Sequence, residues 1–529
     1  MDKRSNGGLP TSGLPILGRR GFLGAGAVGT GALLAGVGSA PALGQALGAP
    51  APQVDFPEDR RAFGGGPAGT NNRAEIDLYD CEVEGTLPTD LDGVFYRVGP
   101  DPQYPKLAQH AGDIPFDGEG HVSMFRISGG HVDYRTRYAR NQRWKAQHEA
   151  RRSLFGMYRN PFTDDPSVEG LSRGTANTQL FVHHGKLLVF KEDSPPVYMD
   201  PLTLETLDDY YTFGGKMQSL THTAHPKIDP ETGEYFGYGY EATGLASKDI
   251  YVFSADRAGQ VNWSTTVQAP YAGMMHDFYV TQRHVILYLT NMVADMDRMR
   301  AGGLHFSYDA QRPCYLGIMR RGGDGRDLKW FTGANLFCTH VMGGWSDGDK
   351  VTVDMDGGEG NQFPFFPHLH GGFDPELATG RIRRFTVDLS SRTNDRYQTQ
   401  TLFPEITGVL ARQDDRYHTV PYRYGYLQAS GSWAIIDHAT GTTQMASVPG
   451  YSLSEMTFVP RRKGAPEGDG YLIGIGSSQE EAGRSDLILI DTKAVAEGPV
   501  ARVKMPFKCV GQVHGFWADA SEIAGAPKA

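Results

Sequence analysis

From Cys81 to the end of the chain one pattern recurs: a short apolar strand, a turn built from Gly, Asp or Asn, and a second strand. KDIYVFSADRAGQVNWSTTV, GRIRRFTVDLS, GSWAIIDHATGTT and SDLILIDTK are examples. Alternating strands around such turns predict antiparallel hairpins. Helical spacing is scarce, and residues 142–157 (QRWKAQHEARRSLFGM) form the best candidate for a helix, in a region expected to be a loop-rich cap. Strand-rich units that follow one another without a linker favour radial repetition, which protects sheet edges. The expected fold class is therefore all-β, a β-propeller. Its repeats are too diverged for the blades to be counted.

Composition agrees. Glycine numbers 68 and proline 32, a turn-rich balance that favours short strands over long helices. A net charge of −10 excludes nucleic acid as a natural partner, since phosphate binding needs a basic surface. The four cysteines (Cys81, Cys314, Cys338, Cys509) are far apart with no CxxC, which predicts free, mostly buried thiols.

The N-terminus reads differently. Arg19-Arg20 precede a weakly apolar Gly/Ala-rich run reaching about Ala40, the pattern of a twin-arginine export signal. Residues 1–45 are expected to be that signal, which implies a periplasmic protein. Residues 46–75 read as a loose lead-in, and 76–529 as one propeller domain with cap insertions. The glycines make the leader a poor membrane anchor, and no other stretch suits a transmembrane segment. Oligomeric state is not legible; a homo-oligomer is compatible.

Two charges stand where an apolar run stops. Lys191 and Glu192 follow Leu187-Leu188-Val189-Phe190, and neighbours on a strand point to opposite faces. By itself this reads as the solvated end of a strand with an incidental charge pair. Seventeen histidines supply further chemistry, with local pairs at His183-His184, His222-x-x-His225 and His368-x-His370. No HExxH, GxSxG, phosphate loop or dinucleotide fingerprint is present.

A different selection of histidines is more telling. His225 lies in THTAHPKIDPETGE, His276 in GMMHDFYVT, His340 in NLFCTHVMGGW and His514 in GQVHGFWAD. With GTLPTDLDGVFYRVGPDP and FDGEGHV, these contexts make the chain resemble the carotenoid cleavage oxygenase family from about Val83 to Trp517. The resemblance implies a seven-bladed propeller in which His225, His276, His340 and His514 hold a non-haem Fe(II) that uses O2. It also implies three glutamates behind the imidazoles. Glu192 and Glu455 match two of these, while Val409 stands at the third. That departure leaves either Glu405, four residues upstream, as a substitute, or an imidazole (His340 or His514) without a carboxylate.

The stilbene-cleaving branch of the family carries a lysine before the first glutamate, as Lys191 does here. Tyr158 in LFGMYRNPF resembles that branch's active-site tyrosine, and Phe116 an aromatic lining the cleft. The expected partner is a small hydrophobic aromatic substrate, a phenolic stilbene of lignin type cleaved to two aldehydes, with Lys191 and Tyr158 polarising its phenol. The alternatives are an apocarotenoid-cleaving oxygenase and a catalytically weak propeller that binds aromatic ligands.

Overall fold

The computed structural model describes residues 73–523 apart from Ala482. The expected export signal and most of the expected lead-in lie outside the described residues. Seven antiparallel sheets of four or five strands form the blades of the propeller. Blade 1 joins both ends of the chain: its inner strand, His514–Asp519, pairs with Gly93–Pro100, followed outward by Gly120–Ser128 and His131–Tyr138. Blades 2 to 6 then follow in chain order, with inner strands Gln179–His183, Lys227–Ile228, Phe278–Val280, Phe337–Asp347 and Val409–Gln413. Blade 7 runs from Tyr451–Pro460 to Pro499–Lys504, and its outer edge is covered by Val83–Gly85. Closure thus uses N-terminal strands at two places, so unfolding blade 1 or 7 opens the ring.

Strand patterning follows position in a blade. In Lys186–Phe190 the last four residues are all fully buried, because an inner position packs against a blade on each side. The outer strand Val261–Gln268 instead alternates half-buried and exposed residues over most of its length, having solvent on one face. All four cysteines are free, and Cys81 is the one not fully buried.

The cap is built from insertions between blade strands. Helix Gln142–Ala150 starts at Asn141, whose side chain accepts the Trp144 N–H. It stops seven residues short of the predicted end: Arg151 adopts a left-handed conformation (φ 52°), and the Leu154 N–H donates to the Gln147 side chain rather than continuing the helix. A hairpin of Met292–Ala294 and Phe306–Tyr308 and the loop 359–380 complete the described cap. The two are stitched by Tyr308 N–H to Pro367 O and Leu369 N–H to Tyr308 O, at 2.8 and 2.9 Å.

Candidate metal centre and substrate cleft

Four buried histidines from four blades meet on the axis. One ring nitrogen from each of His225, His276, His340 and His514 lies within 4.8 Å of the others. The Nε2 atoms of His225 and His340 are each 3.3 Å from that of His276. The backbone explains how regular strands deliver them. His225 and His276 sit in the turns just before the inner strands of blades 3 and 4, and His514 opens the inner strand of blade 1. His340 lies inside its strand, where the register shifts between Cys338 and Val341. A β-bulge there re-aims the side chain toward the axis.

Carboxylates orient three of the rings. Glu192 Oε1 is 2.5 Å from His276 Nδ1, and Glu455 Oε1 is 2.8 Å from His514 Nδ1. Glu455 also lies in a bulge, between Leu453 and Met456. Its Oε2 accepts the Gly515 N–H at 2.7 Å. Although burial disfavours its charge, His514 and Arg412 hold Glu455 ionised, down to about 2.

The third carboxylate corrects the sequence expectation. Val409 is half-buried and Glu405 exposed, so neither supplies it. Asp356, from the second strand of blade 5, does: its Oδ2 lies 3.2 Å from His340 Nδ1. The same oxygen accepts the Ala411 N–H at 3.0 Å, while Oδ1 accepts from Thr339 Oγ1. The register shift between Val409 and Arg412 turns that Ala411 N–H toward Asp356. Both His340 and His514 therefore have a carboxylate. Asp356 escaped notice because its signal, an Asp in the strand opposite His340, exists only once blade 5 is paired.

These residues fit a divalent metal. Burial keeps His225 neutral, well below the usual imidazole range, and brings His514 to about 4, leaving lone pairs available. His514 Nε2 is buried and has no hydrogen-bond partner, while its other nitrogen is held by Glu455. Imidazole donors backed by carboxylates suit Fe(II), Zn(II) and their neighbours. Replacing Asp356 by Ala should weaken metal binding by about 10–100-fold. Equilibrium titration with Fe(II) or Co(II) reads this directly, and wild-type affinity would dismiss Asp356 as the missing partner.

The other histidine pairs are employed elsewhere. His222 Nε2 meets the Tyr235 hydroxyl, His368 Nε2 the Asn361 amide, and His184 Nε2 the Tyr211 hydroxyl.

On the cap side the walls are aromatic. Lys191 and Glu192 follow directly on Lys186–Phe190 and diverge as adjacent residues should: Glu192 meets His276, while Lys191 Nζ stands 4.4 Å over the Phe116 ring and 5.3 Å from that of Tyr158. Lys191 makes no hydrogen bond or ion pair among the described residues. Burial lowers its pKa, against the pull of Asp193 and Glu192. Tyr158 is fully buried, its ring edge-on to Phe116 at 6.1 Å. Phe365 packs on Phe116 at 5.1 Å, and Phe363 faces His276 at 5.9 Å. Sequence reasoning missed Phe363, Phe365 and Phe366, although three phenylalanines in a strandless loop were a visible signal. A small cavity, about 50 Å³, touches His225, His340 and His514 and includes Lys227, Asp277 and His418, but none of these aromatic residues.

Residues 69–519 match the family described as "Retinal pigment epithelial membrane protein". The chain belongs to that family, the carotenoid cleavage oxygenases. The oxygenase is 41% identical over 477 residues to "Lignostilbene-alpha,beta-dioxygenase isozyme III" of Sphingomonas paucimobilis, covering 85% of this chain and 96% of the relative. It is 37% identical over 463 residues to "Isoeugenol monooxygenase" of Pseudomonas putida, with 84% and 95% covered. The crystal structure of Pseudomonas brassicacearum lignostilbene dioxygenase superposes with a TM-score of 0.83 at 36% identity, covering 88% of the oxygenase and all of that chain.

Proposed function

We propose that this oxygenase cleaves the alkene of a 4-hydroxystilbene with O2 to give two aromatic aldehydes, using Fe(II) held by His225, His276, His340 and His514. The single observation that carries the substrate reading is the buried Lys191 amino group, which faces two aromatic rings beside the histidine cluster. A polyene has nothing for that nitrogen to bind, whereas a phenol does. Similarity to relatives named for lignostilbene and isoeugenol supports phenolic alkenes as the class.

When bound, Fe(II) supplies the activation of O2. The protein's own contribution starts at the other end of the substrate. Phe116, Tyr158, Phe363 and Phe365 sandwich the flat rings and exclude water. Lys191 Nζ takes the phenolic proton, and Tyr158 helps seat that hydroxyl. The electron pair left on oxygen is conjugated through the ring to the alkene, which it enriches toward an electrophilic oxidant. Both atoms of O2 end in the products, one on each alkene carbon, so no external reductant is required.

The test loads the protein anaerobically with Fe(II) and supplies air with trans-4-hydroxystilbene. One O2 consumed and two aldehydes formed per alkene is the expected stoichiometry, with little turnover of the 4-methoxy ether. Cleavage of an apocarotenoid but not of the hydroxystilbene would overturn the reading. Binding without O2 uptake would favour a ligand-binding propeller, a reading that Asp356 weakens by completing the carboxylates around the cluster. The Arg19-Arg20 leader adds that the enzyme acts after export to the periplasm.

A further inference from the structure

We propose that Arg159 is a positioning residue for this reaction, fixing the Lys191–Glu192 turn against Tyr158 so that the substrate's phenol and the histidine cluster keep one relative geometry. The inference rests on the functional reading above.

Arg159 follows Tyr158 directly and is nearly fully buried. Its φ of 53° lies in the left-handed region, which a side chain longer than glycine adopts only when its surroundings hold it there. That conformation sends three consecutive side chains three ways. Tyr158 lines the cleft, and Asn160 Nδ2 donates to Met299 O and Gly303 O of the cap at 2.8 and 2.7 Å. Arg159 points between blades. One arm of its guanidinium donates to Glu192 O at 3.3 Å and to the Tyr240 hydroxyl at 3.0 Å, and the other to Glu241 Oε2.

Glu241 is in turn fixed. Both its oxygens lie 2.9 Å from His305 Nε2, and Oε1 accepts the Ala246 N–H at 3.0 Å. His305 comes from the cap hairpin region and is fully buried, and its Nδ1 faces Arg159 O at 3.3 Å. One guanidinium thus ties the cap, the blade 2 turn and the end of the second strand of blade 3. Buried ion pairs are poor sources of net stability, because desolvation offsets their attraction. A planar fork with several donors is good at fixing geometry, which a single ammonium cannot copy. The carbonyl it holds belongs to Glu192, the residue whose side chain orients His276 and whose neighbour is Lys191.

The test compares Arg159→Lys with wild-type protein, both loaded with Fe(II). Iron content and cooperative thermal unfolding should be retained. At saturating trans-4-hydroxystilbene, kcat should fall by about 10–100-fold, the range for residues that orient active groups indirectly. Anaerobic binding of the same compound, followed by its fluorescence, should weaken about tenfold, a change of roughly 1.4 kcal/mol. In Arg159→Ala, added methylguanidinium should restore part of kcat. A purely structural residue would lower the melting temperature and leave kcat per iron unchanged, and that result overturns the proposal. Should Arg159→Lys fail to fold, Glu241→Gln keeps the arginine and reads the same kcat with a smaller expected loss. If wild-type protein binds the stilbene but never cleaves it, the functional reading falls, while the anaerobic binding of the variants still decides the role of Arg159.

Discussion

Lys191→Met should retain its iron and lose about 10²–10⁴-fold in kcat/KM toward trans-4-hydroxystilbene, the range for removing a positioned acid or base. Methionine keeps the length and much of the packing of the lysine stem between Phe116 and Tyr158, so the change isolates the nitrogen. The pH profile gives a second, independent reading. Burial disfavours the ammonium form, which places the Lys191 pKa below the ordinary lysine value of about 10.4. A group that accepts the phenolic proton must be neutral first, so kcat/KM should rise with pH through that lowered value. In Lys191→Met the limb should vanish, and activity should climb only where the free phenol ionises, near about pH 10. Tyr158→Phe keeps Lys191 in place and should show a smaller loss. Wild-type kinetics in the methionine variant would remove the lysine from the mechanism.

What the chain discloses before it folds is uneven, and the reason is physical. Strand–turn patterning is local, so hairpins and a propeller were legible, as was the helix start at Gln142. The helix end was not, because Gln147 diverts the Leu154 N–H, a choice made by side-chain geometry rather than propensity. The four histidines were legible only through family resemblance, since residues 225 to 514 are joined by ring closure and not by any local spacing. Glu192 and Glu455 were found in the same way. Asp356 was not, because it reaches His340 across paired strands and two bulges that no linear motif records. Family pattern pointed to position 409, where a valine stands. The structure keeps the carboxylate and changes the strand that carries it. Arg159 was hidden for a related reason: its partners lie far off in sequence, in the turn after Lys186–Phe190 and at the end of Tyr235–Tyr240, and only the folded chain brings them together.

His276→Ala is expected to abolish iron loading, because His276 is the ring that bridges the cluster. Its Nε2 lies 3.3 Å from those of both His225 and His340, so its removal takes away the donor that both of these approach and leaves three imidazoles. The loss also strands Glu192, a buried carboxylate whose ionised form depends on the His276 contact against the cost of burial. Leaving such a group unpaired costs about 1–3 kcal/mol or more, so the single variant should melt earlier as well as lose metal. The two effects separate in a double variant. His276→Ala with Glu192→Gln replaces the stranded charge by a neutral amide and should recover stability, yet stay free of iron. Glu192→Gln alone should bind iron about 10–100-fold more weakly and still load at high Fe(II). Metal analysis on folded protein, alongside thermal melts, distinguishes these cases. One iron per chain in His276→Ala would refute the ligand assignment, since no other described imidazole is placed to take over.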